Sequence, residues 1–354
     1  LKHNRTIDCL LQIHIAEEET KFGLNETELK EILISETLKK LNKDKKEEDK
    51  ATILGKQEII RTTTSTGSPY LDYLTGGGFM NGGFNLLIAS GGVGKSSISL
   101  LACKDTIERR GKIAVYFDAE KTLNESYFLR MGLNKDKFIH RRIRNLEDML
   151  DEAELFAQSE DVGIIIMDSI PIFTASAIEA KSANENSIAN EAKRFTCRMP
   201  IIEGYASNRD ICLIGLTSYK LNPGAMGDPR VLQRGEWQKT MSNTTLDMIK
   251  KEIIKDSDKN VIGHKIDVRV NKTKNNYYDK SIAYTVNFYN EGGFNQIDEY
   301  AQVFVETELV KSGGAWISFP NKDAEEVKVN GLTKFIEYLK ANTEDFEFLK
   351  QQLQ

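Results

Sequence analysis

One octapeptide constrains this chain more than any other feature. Ala89-Ser90-Gly91-Gly92-Val93-Gly94-Lys95-Ser96 follows an apolar run, Asn85–Ser90, and opens an amphipathic stretch, Ser97–Arg110. It fits the phosphate-loop pattern GxxxxGK[ST] except for Ala89 at the first position. Glycine permits the dihedrals that let successive backbone N–H groups curl round a phosphate. The helix that follows turns its positive end towards the same anion. The cradle would comprise Ser90, Gly91, Gly92, Val93 and Gly94, with Lys95, Ser96 and Ser97 opening the helix. Lys95 would neutralise the β- and γ-phosphates and Ser96 would coordinate Mg²⁺, so ATP with Mg²⁺ is the expected ligand.

A loop of this kind needs a strand before it and a helix after it, and the chain repeats that alternation. Apolar runs occur at Asn85–Ser90, Ile113–Phe117, Val162–Asp168 and Ile211–Thr217. They are nearly continuous in apolar character, as strands buried on both faces are. Helical stretches such as Ser97–Arg110 and Leu146–Gln158 separate them. The expected fold is α/β, with a mostly parallel twisted sheet flanked by helices. Ile266–Asn271 and Tyr284–Tyr289 alternate apolar and polar residues and read as antiparallel additions at a sheet edge.

Three regions follow: an arm and linker at 1–50, a core at 51–293 and a small α-rich module at 294–354. Within the arm, residues 1–42 read as helical. Asn25 with Glu28 forms a capping box, and Leu29, Ile32, Leu33, Leu38 and Leu41 recur at helical spacing. The stripe can pack on its own core or on a neighbouring subunit. The charged run Lys43–Lys50 reads as a solvated linker. In the C-terminal module, Asp298–Leu309 and Leu332–Gln354 read as helices, joined by KSGGAWISF from Lys311.

Composition mainly excludes. Lys+Arg is 48 against 53 Asp+Glu, a net charge of −5, which rules out a chain-wide polybasic nucleic-acid binder but leaves room for a local basic surface. No apolar run reaches the roughly 18 residues of a membrane helix. Cys9, Cys103, Cys197 and Cys212 form no CxxC, and His3, His14, His140 and His264 are scattered. A disulfide scaffold or a zinc site is therefore not expected, and a cytoplasmic location is.

Two acidic strand ends complete a catalytic set. Val162–Asp168 is an apolar strand ending in a carboxylate, and in a phosphate-loop enzyme such an Asp accepts hydrogen bonds from Mg²⁺-bound water. Phe117-Asp118-Ala119-Glu120 ends another strand. ATP hydrolysis needs a carboxylate that polarises the attacking water; Glu120 suits this best and Asp118 is the alternative.

These residues together resemble the RecA-type recombinase family, phage-encoded UvsX-like members included. The landmarks run in order from about residue 26 to 354. They are Ser65-Thr66-Gly67-Ser68 before Leu71-Asp72, the phosphate loop, FDAEKTL at 117–123 and IIIMDSI at 164–170. LIGLTSYK at 213–220, VNKTKN at 270–275, FNQIDE at 294–299 and KSGGAW at 311–316 follow. The resemblance implies an ATPase that forms a helical filament on single-stranded DNA and exchanges strands with a homologous duplex. It makes Glu120 the catalytic carboxylate and Asp168 the Mg²⁺-associated acid. Tyr127 would stack on adenine, and Asn124 stands where a base-contacting acid is usual. Lys272 and Lys274 match the pair that reaches the neighbouring subunit's phosphates, although a lone KxK on a strand reads more readily as a solvated strand edge. Two DNA-binding loops are implied. The first spans Ile178–Asn190, with Lys193 beyond it. The second spans Lys220–Lys239 and carries Lys220, Arg230, Arg234 and Lys239 among Gly224, Gly227 and Gly235, which suggests mobility. The helical arm with Thr52–Gly55 resembles the family's assembly element, in which a helix and a short strand pack on the preceding subunit.

Departures from the family pattern are specific. Ser218 stands where the family carries a nucleotide-sensing glutamine, and AKSANENS in the first loop lacks the usual glycines. Two other readings share the core fold: a hexameric helicase or regulatory ATPase, and a filament protein that binds ATP and DNA without exchanging strands. The module after residue 290 favours the recombinase.

Overall fold

The computed structural model describes residues 26–45, 62–175, 186–224, 229–275, 283–290 and 292–353. The capping residue Asn25, the end of the charged linker, Thr52–Gly55, most of the first expected DNA loop, and Gly227 lie outside them. The chain divides into two compact units, residues 1–60 and 61–354. In the first, Glu26–Leu41 is a helix, α1, with Ile32, Leu33, Ile34 and Leu41 exposed.

The second unit is built on one sheet. Its strands are β1 Gly83–Ala89, β2 Ile113–Asp118, β3 Phe138–Arg141, β4 Val162–Asp168, β5 Cys212–Thr217, β6 Thr245–Lys255, β7 Val261–Lys272, β8 Tyr284–Tyr289 and β9 Gly293–Phe294. They lie in the order β9-β8-β7-β6-β1-β5-β4-β2-β3. From β6 to β3 every pairing is parallel, whereas β7, β8 and β9 add antiparallel. The mostly parallel sheet with antiparallel strands on one side is thus as the patterning predicted. Three strands are not marked by such patterning. Thr245–Lys255 carries lysines and isoleucines without a clean period, Phe138–Arg141 is a short edge, and Gly293–Phe294 has only two residues.

Alternation along the buried strands explains the layers. Leu87, Ala114, Tyr116, Ile164, Ile166 and Ile214 face one side and pack with Ile98, Ala102 and Cys103 of α2 Lys95–Arg109. Leu86, Ile88, Val115, Phe117, Ile165 and Leu213 face the other and pack with α3 Leu146–Ala157 and α4 Asn186–Asn208. Continuous apolar runs are what a strand with both faces covered requires.

The C-terminal segment has its own apolar cluster, centred on Phe304, Phe319, Phe335 and Phe346. It differs from the expected helical module in two respects. KSGGAWISF is a hairpin within a three-stranded sheet of Lys311–Gly313, Trp316–Pro320 and Glu326–Asn330. The long C-terminal helix is two, Gly331–Ala341 and Thr343–Gln351, broken at Asn342, where ψ is 73°. Two of the sequence landmarks meet here. Ser68 caps the helix Pro69–Thr75 by accepting from the Leu71 amide, and its hydroxyl also donates to the buried Glu299 of FNQIDE. Among the described residues no helix is long and apolar enough to cross a membrane.

Candidate nucleotide and DNA site

The phosphate loop leaves the carboxyl end of β1 and enters α2, the edge at which ligands bind in open α/β sheets. Gly92 and Gly94 have φ of 71° and 121°, and the second value lies where side chains are excluded. A Cβ built at Gly91 or Gly92 would meet nothing within 4 Å, so there is open space beside the loop at both residues. The Val93 side chain is buried, leaving its backbone to the loop. Lys95 Nζ donates to the carbonyls of Ala89, at 2.8 Å, and Ser90, at 3.0 Å. Burial lowers the Lys95 pKa, and the carboxylates of Asp168 and Glu120 oppose the shift.

Asp118 and Asp168 are cross-strand partners at the ends of β2 and β4. Their surroundings divide their roles. Burial pushes Asp168 up to about 6, with the Glu120 and Asp118 carboxylates adding to it. It accepts from Ser96 Oγ at 2.8 Å and Tyr116 Oη at 2.5 Å. Asp118 is fully buried, yet its pKa falls. Burial would raise it, but hydrogen bonds from His140 and the amides of Leu123, Lys121 and Thr122 outweigh that. Asp118 therefore organises the turn after β2, leaving Glu120 as the available carboxylate. Glu120 is exposed and accepts from Ser169 Oγ at 3.0 Å. Ser96 and Asp168 supply adjacent hard oxygens of the kind Mg²⁺ takes, so the donor set fits that ion.

The Ser97 side chain is buried and hydrogen-bonded to the Tyr127 hydroxyl. The Tyr127 ring carries the Arg130 guanidinium 5.2 Å from its centroid. Asn124 is the N-cap of the helix Glu125–Met131, its Oδ1 accepting from the Tyr127 amide at 3.1 Å. A cavity of about 330 Å³ opens beside them, with Leu123, Phe128 and Phe138 as an apolar lining and Lys135, His140 and Arg142 as basic groups.

Lys272 and Lys274 lie away from this cluster. Thr245 pairs with both Leu86 and Lys272, so Lys272 is level with Leu86 rather than with the loop. With ~3.3 Å per residue and ~4.8 Å between strands, its Cα is roughly 14 Å from that of Ala89, and Lys274 follows the end of the strand. A lysine side chain spans about 6 Å. Lys272 Nζ donates instead to the carbonyls of Lys239 and Thr240, at 3.0 and 2.9 Å.

Tyr219–Leu221 and Arg230–Leu232 pair as an antiparallel hairpin that leaves the end of β5. Lys220 and Arg230 are exposed. Arg230 and Lys239 each stand 5.2 Å from the Tyr219 ring centroid, and Tyr219 Oη donates to Asp247. Arg234 turns inward and donates to the carbonyls of Pro171 and Phe173, both at 3.1 Å. Lys193 is exposed on α4, in a groove shared with Glu147, Asp151, Arg194 and Arg198. Its neighbours Arg194 and Arg198 pair with Glu147, Asp151 and Glu154.

Two residues of consequence escaped the sequence reading. Gln233 Nε2 donates to Ser218 Oγ at 2.8 Å, so a glutamine from 15 residues further on reaches Ser218 at the end of β5. Its identity as a glutamine was the available signal, but the hairpin that folds it back was not. His264 Nε2 lies 3.0 Å from the Val93 carbonyl. It occupies an inward position in the alternation with Ile266, Val268 and Val270, where an apolar residue is expected.

The sheet, the loop and the two acidic strand ends define an α/β protein of the phosphate-loop class. The chain belongs to the RecA family: the model for the RecA N-terminal domain matches residues 32–293. It is similar to Protein RecA of Mycoplasma mycoides subsp. mycoides, 27% identical over 304 residues, covering 85% of this chain and 86% of the relative. Protein RecA of Phytoplasma mali is 26% identical, over 82% of this chain and 85% of its own length. Protein RecA of Chloroherpeton thalassium is 27% identical, over 76% and 75%.

Proposed function

We propose that this chain is a DNA-dependent ATPase that assembles as a helical filament on single-stranded DNA and exchanges strands with a homologous duplex. The observation that carries the reading is the position of Lys272, too far along the sheet to serve its own phosphate loop, with Lys274 just past the strand's end. A neighbouring subunit that presents them to the next loop would tie hydrolysis to assembly, because lysines placed in trans stabilise charge developing on the γ-phosphate.

Within one subunit the chemistry is divided among few groups. Loop amides hold the phosphates, and Lys95 exchanges its two carbonyl partners for phosphate oxygens. Glu120, oriented by Ser169, polarises the attacking water from the open side. Mg²⁺ held by Ser96, with Asp168 behind it, would supply charge neutralisation at the β- and γ-phosphates. Gln233 and Ser218 join the end of β5 to the hairpin bearing Lys220 and Arg230, a short route between phosphate and DNA. Arg230 and Lys239 about Tyr219 combine positive charge with an aromatic ring, the pairing that single-strand binders use. At the far side of the sheet, Phe138–Arg141 is the last strand among the described residues, and its outer edge suits an added strand from another subunit.

Electron microscopy with single-stranded DNA and a non-hydrolysable ATP analogue tests the assembly. A helical filament is expected, and a closed six-membered ring would transfer the chain to the helicase-like reading.

A further inference from the structure

The phosphate loop is tethered from behind by a side chain that belongs to none of the motifs above. We infer that His264 is a positioning residue for the nucleotide phosphates, acting through the Val93–Gly94 peptide; this rests on the reading of residues 89–96 as the ATP site. Strand β7 runs past the end of β1. Val268 pairs with Met248, which is level with Ala89, and His264 lies four residues further on, behind the loop. There its Nε2 meets the Val93 carbonyl at 3.0 Å.

The consequence follows from the chemistry of the peptide unit. A carbonyl only accepts, so the imidazole carries its hydrogen on Nε2. In a planar trans peptide the C=O of residue 93 and the N–H of residue 94 point in opposite directions. Holding the Val93 carbonyl against β7 therefore turns the Gly94 N–H to the other side, into the concavity of the loop. Gly94 has φ of 121°, and with no Cβ it has little steric resistance to rotation of that plane. An external tether is what keeps the donor aimed.

The tether is itself fixed. The His264 ring is buried and packs against Phe288, with centroids 5.6 Å apart. Phe288 is its cross-strand partner. At the preceding residue, a Cβ on Gly263 would lie 2.3 Å from the Phe288 carbonyl oxygen, so glycine is what lets β8 come this close. Ile266 and Phe288 also back the loop, at 3.6 and 3.8 Å from where a Gly94 Cβ would stand. Had His264 only a packing role, a polar ring would bring nothing to this apolar stripe. Its hydrogen bond goes to the loop rather than to its own sheet.

The experiment compares wild-type protein with His264→Phe and His264→Gln, using a fluorescent ATP analogue without DNA and then steady-state hydrolysis. Phe keeps the packing and loses the donor; Gln restores an amide donor near the Nε2 position. His264→Phe should bind about tenfold more weakly, equivalent to ~1.4 kcal/mol. KM should rise by the same factor with kcat within about twofold, since the cradle holds ground state and transition state alike. His264→Gln should bind within about threefold of wild type. If the phenylalanine variant melts below the assay temperature, His264→Met makes the same comparison. Wild-type affinity in the donor-less variant, or equal weakening in it and His264→Gln, overturns the inference alone. Wild-type protein that binds no ATP analogue overturns the reading of the loop and the inference with it.

Discussion

If Lys272 and Lys274 act on a neighbour, two inactive proteins should restore each other. Lys272 is level with Leu86, and the ~14 Å to its own loop exceeds the ~6 Å span of a lysine side chain. Charge-assisted hydrogen bonds contribute about 1.5–3 kcal/mol each, so Lys272→Ala with Lys274→Ala should lower the DNA-stimulated rate by ~100-fold or more. Lys95→Ala should be inactive for the separate reason that it lacks the loop cation. In a head-to-tail assembly mixed one to one, an interface works when the first subunit has Lys95 and the second has the lysine pair. Random mixing makes that about a quarter of interfaces, so about a quarter of the wild-type rate per subunit should return. Phosphate release in the presence of single-stranded DNA measures it, with melting curves as control. Removing Lys272 also frees the carbonyls of Lys239 and Thr240, which should lower stability by about 1 kcal/mol without preventing complementation. A co-assembled mixture no more active than the sum of its parents would refute the action in trans.

Glu299 and Asp72 give the fold a pH dependence. Burial pushes Glu299 up to about 7 and Asp72 up to about 6, against ordinary values of 4.5 and 3.8. The native state thus holds protons that the unfolded chain releases, and this stabilisation is complete below pH 4 and lost as pH rises through about 7. Glu299→Gln should therefore melt higher than wild type at pH 8, by an amount on the order of 3 kcal/mol, with the difference closing near pH 4.5 in calorimetry. A variant that melts lower at pH 8 would contradict the buried proton. For DNA, Arg230→Ala and Lys239→Ala should each flatten the plot of log affinity against log salt by about 0.7 for a single strand, measured by fluorescence anisotropy. Arg234→Ala should leave that slope unchanged and lower the melting temperature, because its guanidinium holds Pro171 and Phe173; the reverse pattern would exchange their roles.

What the sequence determined by itself is what local rules carry. The octapeptide at 89–96 announces its cradle because glycine freedom, a lysine and a helix start are all properties of adjacent residues. Continuous apolar runs announced strands covered on both faces, and acids at strand ends announced Asp168 and Glu120 as candidates, since strand period and chain order place them at the loop's edge. The preference for Glu120 over Asp118 came from chain order alone; that Asp118 is committed elsewhere needed tertiary structure, because only folding brings His140 onto it beside the local amides. The same holds for Arg234, basic in sequence yet committed to backbone carbonyls, and for Gln233, which reaches Ser218 only through the hairpin. Thr245–Lys255 became a strand because β1 on one side and β7 on the other satisfy its backbone, a long-range pairing that outweighs weak local preference. His264 is the sharpest case. Its residue type was visible, but its use depends on a carbonyl 171 residues away, and a hydrogen bond across that separation exists only once the sheet has set the distance.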